Sequence, residues 1–184
     1  PAIVGTTLPG GDGSSGSVSG NGWQFAGNSA GAASPSALPP LPTGYRFVLP
    51  SGFGFVLAGG AANGAANVTW QWPQAVPNGA MLWKFGPTKA NPAPHWYDVN
   101  GQLNAARTSG SFSVTDGGEG DEDLLANGVI VDPVFLVAPT VTVPTTTASV
   151  PTLSGAGRTR LAMALAGPAP PTLRRRRFRP PKGQ

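Results

Sequence analysis

Short apolar runs separated by turn residues constrain the fold of this 184-residue chain more than any other feature. Residues 68–72 and 111–115 alternate apolar and polar side chains with the two-residue period of a half-buried strand. Turn signals such as Pro50-Ser51-Gly52 separate these runs, and no segment shows the 3.6-residue period of an amphipathic helix. We therefore predict an all-β protein, a single antiparallel β-sandwich of about seven or eight short strands.

The predicted strands lie in the middle of the chain, between segments of different composition. They cover residues 45–49, 53–57, 68–72, 80–85, 95–99, 111–115, 128–131 and 134–137. The apolar members of the two alternating strands are expected to face the core: Val68, Trp70, Trp72, Phe112 and Val114.

The segments on either side of this sandwich, residues 45–137, are predicted to be disordered. Residues 1–44 are rich in Gly, Ser, Ala, Asn and Pro, which is typical of a flexible linker or the end of a preceding region. Only Trp23 and Phe25 suggest a short strand there. Residues 138–151 are predicted to form a Thr/Pro stalk, and residues 152–184 form a tail with an arginine cluster.

Carboxylates are concentrated in residues 116–132, which hold six of the eight acids of the chain. Like charges at short range repel, and a hard cation such as Ca²⁺ would compensate them. Asp121 and Asp123 have the i, i+2 spacing of calcium loops. We predict a calcium site whose oxygen ligands come from Asp116, Asp121, Asp123, Asn127 and Asp132. The alternative is an acidic hairpin whose Asp and Asn side chains cap turns.

Charge and composition narrow the function classes. The chain has no Cys, which excludes thiolate zinc sites, disulfides and thiol nucleophiles. His95 is the single histidine and has no second histidine or serine motif beside it, so we predict no catalytic site and no enzyme. Up to Gly157 four basic residues face all eight acids, and eight basic residues follow from Arg158. The alkaline pI therefore belongs to the tail, and nucleic acid is not a predicted partner.

The acidic stretch also resembles a family signature. Residues 116–133 are similar to the pattern Asp-Gly-Gly-x-Gly-Asp-x-Asp-x-x-Ala-Asn-Gly-x-Ile-x-Asp-Pro of the choice-of-anchor U domain of bacterial surface proteins. Residues 49–55, 83–87 and 96–98 resemble earlier landmarks of that family in the same order. The resemblance covers about residues 45–133, with Val134 standing where the family usually has Gly. It implies an exported protein at the cell surface or in the extracellular space of a bacterium.

The tail resembles a sorting signal of the IPTL-CTERM type. Residues 150–154 are similar to its opening, and residues 174–177 match its arginine cluster. Gly155-Ala156 replaces the usual Glu-Trp, and only residues 161–166 form an uninterrupted apolar run, where a membrane span needs about 20 residues. Two hypotheses explain this departure: a decayed anchor, or a misread frame of GC-rich DNA. An intact tail would imply the envelope sorting machinery and the membrane as partners.

These observations predict a non-catalytic exported module for surface display or structure, with an acidic calcium-binding loop. The alternative is a calcium-dependent carbohydrate-binding or adhesion module, with surface glycans as partners. In that case Trp70, Trp72, Trp83 and Trp96 would form a platform on which sugars stack. A hydrolase that uses Asp98 and a loop acid as a carboxylate pair is a more distant alternative.

Overall fold

Two antiparallel sheets pack face to face in the computed structural model, which describes residues 1–140. The strands are β1 (Ile3–Gly5), β2 (Thr7–Pro9), β3 (Ser15–Ser19), β4 (Gln24–Ala26), β5 (Tyr45–Phe47), β6 (Phe53–Ala58), β7 (Ala65–Gln71), β8 (Met81–Gly86), β9 (His95–Asp98), β10 (Gln102–Leu103), β11 (Ser109–Thr115) and β12 (Val129–Pro139). A single turn of 3₁₀ helix, Pro35–Ala37, lies between β4 and β5.

The strand order defines a sandwich. One sheet runs β1-β4-β6-β12-β8-β9, with β5 also paired to β12, and the other runs β10-β11-β7-β3-β2. Every strand pair is antiparallel. The all-β, antiparallel sandwich prediction is confirmed, although the strands number twelve rather than seven or eight within residues 1–140.

The prediction of a flexible linker over residues 1–44 is wrong. Strand β3 pairs with β7 from Ser15↔Gln71 to Ser19↔Asn67, and β4 pairs with β6 in the other sheet. Trp23 and Phe25 are fully buried. The small residues that suggested a linker leave room for large ones: a side chain at Gly16 would occupy the place of the Phe53 ring. The segment therefore belongs to the sandwich, which extends well beyond residues 45–137.

The last two predicted strands form one. Strand β12 continues through Asp132-Pro133 for 11 residues. It pairs with β6 over Val129–Val134, with β8 over Phe135–Val137 and with β5 over Val137–Pro139. Proline lacks the N–H donor that a strand uses in its hydrogen-bond ladder. The ladder with β8 begins only at Phe135, so Pro133 takes no donor from it. Ala138 and Pro139 belong to this strand rather than to the predicted stalk.

The interior between the sheets is rich in aromatic side chains. The Phe53 and Trp70 rings stack with centroids 6.0 Å apart, and Phe25 meets Phe53 edge-on at the same centroid distance. The five residues predicted to face the core are all buried, which confirms that prediction: Val68, Trp70, Trp72, Phe112 and Val114. The rest of the predicted stalk and the predicted sorting tail lie outside the described residues. Within residues 1–140, no helix has the length and apolar character needed to cross a membrane.

Candidate functional site

The acidic loop connects β11 to β12 and begins with a buried carboxylate. Asp116 directly follows β11 and is 0% exposed. Its Oδ2 accepts hydrogen bonds from the backbone N–H groups of Asn63 and Gly128, both at 3.0 Å, and its Oδ1 accepts one from Asn127 at 3.3 Å. Asp116 therefore ties the turn between β6 and β7 to the far end of its own loop.

Asp121 holds the middle of the loop in a similar way. It is 1% exposed, and its two oxygens accept backbone N–H bonds from Gly117 at 2.9 Å and Val131 at 3.2 Å. Burial raises the pKa of Asp121, and these two N–H donors act against the rise. Since Val131 lies in β12, the carboxylate fastens the loop to that strand.

Asp123 and Asn127 lie at the exposed surface of the loop. The Asp123 Oδ2 accepts a hydrogen bond from Asn127 Nδ2 at 2.8 Å, and its Oδ1 accepts one from the Leu125 N–H at 2.8 Å. Asn127 Oδ1 in turn accepts from the Val129 N–H at 2.9 Å. These contacts are those of turn-capping side chains.

Asp132 points into the interior and contacts a lysine. It lies between the core residues Ile130 and Val134 on β12, and its side chain is fully buried. Its Oδ2 accepts a hydrogen bond from the Lys84 ammonium, which is 3% exposed and comes from β8. Asp132 Oδ1 has no hydrogen-bond partner among residues 1–140. Burial raises the pKa of Asp132 to about 7, although the charge of Lys84 opposes the rise.

Lys84 lies within the sandwich rather than at its surface. Its Nζ donates to the Gly120 carbonyl at 2.7 Å and lies 5.1 Å from the centre of the Phe112 ring. Burial lowers the pKa of Lys84, while Asp132, Asp121 and Glu119 act in the opposite direction. Gly120 has φ +99°, and a Cβ there would lie 2.9 Å from Lys84 Nζ. The loop can therefore approach the lysine this closely because residue 120 is glycine.

A small polar cavity of about 150 Å³ lies beside the lysine. It is lined by Lys84, Asp98, Val99, Asn100, Ser113, Glu119 and Gly120. Asp98 and Glu119 therefore border the same cavity, but Asp98 Oδ1 accepts the N–H of Asn100 as a turn cap.

The five predicted calcium ligands take different partners. Backbone N–H groups bind Asp116 and Asp121, Asp123 and Asn127 bind each other, and Asp132 binds Lys84. No group of three or more His, Cys, Asp or Glu side chains within residues 1–140 is placed to hold a metal ion. Each of the five side chains has a partner of its own in this structure, and calcium binding stays a prediction from the sequence.

Sequence analysis missed Lys84 as a site residue. Its signal was present in the strand pattern: Lys84 follows core residue Leu82 by two positions and so points to the same face of β8. Asp132 likewise interrupts the inward series of Ile130 and Val134. A charge at an inward strand position needs a partner of opposite charge, so each strand pattern predicts a buried partner without identifying it.

The proposed tryptophan platform is mostly buried. Trp70, Trp72 and Trp83 are 0%, 4% and 8% exposed and cannot stack on a sugar from solvent. Trp96 is half-buried, donates its Nε1–H to the Pro39 carbonyl at 3.1 Å and packs against Phe85.

Comparison with known proteins gave no match to a family model, a curated protein sequence or a solved structure. The resemblance to the choice-of-anchor U domain and to the sorting signal therefore stays a prediction from the sequence.

Proposed function

We propose that this chain is a non-catalytic structural module of an exported bacterial surface protein. The observation that supports this most is where the acids point. The buried carboxylates Asp116, Asp121 and Asp132 are turned toward backbone N–H groups and Lys84, so they hold strands and loop together.

The surroundings of these acids support a structural role over catalysis. A pair of carboxylates that acts on a glycoside needs room for the substrate between them. Asp116 and Asp121 are closed in by their own backbone donors, and Asp98 caps a turn. The cavity beside Lys84 is about 150 Å³, below the roughly 300 Å³ of an ordinary ligand pocket.

The expected setting is the bacterial envelope. The Thr/Pro composition of residues 141–151 and the arginines at 174–177 suit a spacer and a positive-inside stop signal. An intact tail would engage the envelope sorting machinery and the membrane.

Cell fractionation tests this proposal. The full-length gene is expressed in its native host, and intact cells are treated with a protease that cannot enter them. We expect loss of the chain from the cell surface, or its recovery in the medium. A chain found only in the cytoplasm would overturn the export proposal, and hydrolysis of glycan or ester substrates by the purified protein would overturn the non-catalytic one.

The alternative, a calcium-dependent carbohydrate-binding or adhesion module, has its own test. Binding of the purified chain to a glycan array that disappears with a chelator would favour this alternative. Because Trp96 is the single partly exposed member of the proposed platform, Trp96→Ala should abolish such binding, with Trp83→Phe as the buried control.

A further inference from the structure

We propose that Lys84 and Asp132 condense into an amide cross-link between strands β8 and β12, formed by the chain itself. The two side chains meet inside the sandwich: the Lys84 Nζ is in direct contact with the Asp132 carboxylate, with side chains 3% and 0% exposed. This inference does not depend on the proposed surface function.

The strand pairing fixes the approach of the two groups. In the β8–β12 ladder Trp83 lies opposite Phe135, and continuing that register places Lys84 opposite Val134. Asp132 is then the diagonal neighbour of Lys84 on the same inward face. Both backbones belong to neighbouring strands of one sheet, so the amine and the carboxyl carbon are held together as an intramolecular pair. Such fixed proximity is a large part of what an amide-forming reaction requires.

The reaction balances without any co-reactant. The neutral Lys84 amine attacks Asp132 Cγ, the carboxylic acid loses its hydroxyl, and one amine proton leaves with that hydroxyl as water. The product is one amide and one water molecule. Both side chains are buried, and burial favours the neutral amine and neutral acid over the ion pair because it penalises charge. The adjacent polar cavity offers the released water a place.

The hydrogen-bond partners match the amide better than the ion pair. A lysine ammonium has three donors, but Lys84 Nζ finds only two acceptors among the described residues: Asp132 Oδ2 and the Gly120 carbonyl. The amide would lose Asp132 Oδ2 as water and keep a single N–H, for which Gly120 is the acceptor.

The unpartnered oxygen of Asp132 is the second, independent observation. Asp132 Oδ1 is buried and has no hydrogen-bond partner within residues 1–140. An ionised carboxylate with an unsatisfied oxygen in the interior is strongly unfavourable, whereas a neutral amide carbonyl in that place is far less so. Condensation removes both charges from the core and resolves most of this penalty.

Intact mass under denaturing conditions tests the proposal on the full chain. We expect the folded, purified protein to weigh one water molecule less than its sequence. Material kept unfolded in denaturant from the start should show the full mass and lose water after refolding. A folded wild-type chain that keeps its full mass would overturn the proposal.

Peptide mapping locates the missing water. Trypsin should not cut after Lys84, so residues 47–89 should appear joined to residues 108–158 as one branched peptide. The Asp116-Gly117 sequence can also lose one water molecule, because the Asp116 side chain can cyclise onto the backbone to form a succinimide. Trypsin still cuts after Lys84 in that product. Water loss mapped to that step alone would count against the cross-link.

Two variants provide matched controls. Lys84→Arg keeps the positive charge but cannot form the amide, so it should keep the full mass and melt on the order of 10 °C lower, because it lacks a covalent link across 48 residues. Asp132→Asn should release ammonia instead of water and reach the same final mass as the wild type. The mass and mapping of the wild-type chain decide the question even if Lys84→Arg fails to fold.

Discussion

Asp116 and Asp132 are two buried carboxylates from the same acidic stretch, and the protein stabilises them in different ways. Asp116 receives three hydrogen bonds from the backbone of its own loop and of the Asn63 turn. Asp132 depends on a single side chain, Lys84, 48 residues away, and keeps one oxygen without a partner within residues 1–140. The comparison shows two ways in which this fold compensates a buried carboxylate: peptide N–H donors at Asp116 and a buried lysine at Asp132.

The largest expected effect comes from breaking the Lys84–Asp132 pair. Lys84→Met removes the cross-link and also leaves a buried carboxylate without a cation, and the second effect alone should lower the free energy of unfolding by about 3–5 kcal/mol. The double variant Lys84→Met with Asp132→Leu should recover the part of this loss that comes from the uncompensated charge. Urea unfolding at pH 8 measures both variants. A double variant as unstable as Lys84→Met would contradict the electrostatic explanation.

The same pair predicts opposite pH dependences for its two single variants. In Lys84→Met, burial keeps the folded pKa of Asp132 above its ordinary value of 3.8, so the folded state holds a proton that the unfolded state has lost. Stability should therefore fall as pH rises above about 4, by up to about 1.4 kcal/mol per pH unit. Unfolding titrations at pH 4.5 and pH 8 measure this slope.

Asp132→Leu should show the reverse slope. Burial places the folded pKa of Lys84 below its ordinary value of 10.5. At pH values between the folded and the ordinary pKa, the unfolded state therefore binds more protons than the folded state. Stability should rise with pH until the ordinary value is reached. If both variants gave the same sign of slope, the assignment of these two groups as the titrating pair would be wrong.

A smaller loss is expected at the carboxylate stabilised by the backbone. Asp116→Ala removes the acceptor of three N–H groups in a buried site and should lower the free energy of unfolding by about 2–4 kcal/mol. The exposed Asp123 caps a turn in the same loop, and Asp123→Ala should cost about 0.5–1 kcal/mol. Equal losses at the two positions would mean that burial does not distinguish them.

Gly120 links the two regions, because its carbonyl accepts the Lys84 Nζ–H and its backbone belongs to the acidic loop. Gly120→Ala adds a Cβ 2.9 Å from Lys84 Nζ at φ +99° and should lower stability by about 1–3 kcal/mol. Gly44 has nearly the same φ, +93°, with nothing within 4 Å of its Cβ position. The difference between Gly120→Ala and Gly44→Ala, measured by thermal unfolding, separates the crowding of Lys84 and Val114 from backbone strain.

Local strand patterns can be predicted from the sequence, whereas contacts between distant strands cannot. Strand periods place Val68, Trp70 and Phe112 in the core, because alternation is a local signal. The strands within residues 1–44 have no such signal, since small residues such as Gly16 are equally typical of a linker and of a strand that receives a large ring from the opposite sheet. The Lys84–Asp132 contact depends on strand order, which no local pattern encodes.

The smallest effect is expected from adding calcium. This experiment tests whether backbone N–H donors and Lys84 fully balance the negative charge of the loop acids. If backbone donors and Lys84 already stabilise these acids, millimolar Ca²⁺ should change the melting temperature by less than about 1 °C, because a ligand stabilises a protein only by binding its folded form. Thermal unfolding with added Ca²⁺ and with a chelator measures this. A rise that increases with Ca²⁺ concentration and disappears in Asp123→Ala would instead support the predicted calcium site. Asp123 is the informative position because its carboxylate lies at the surface, where an ion reaches it without displacing the N–H donors of Asp116.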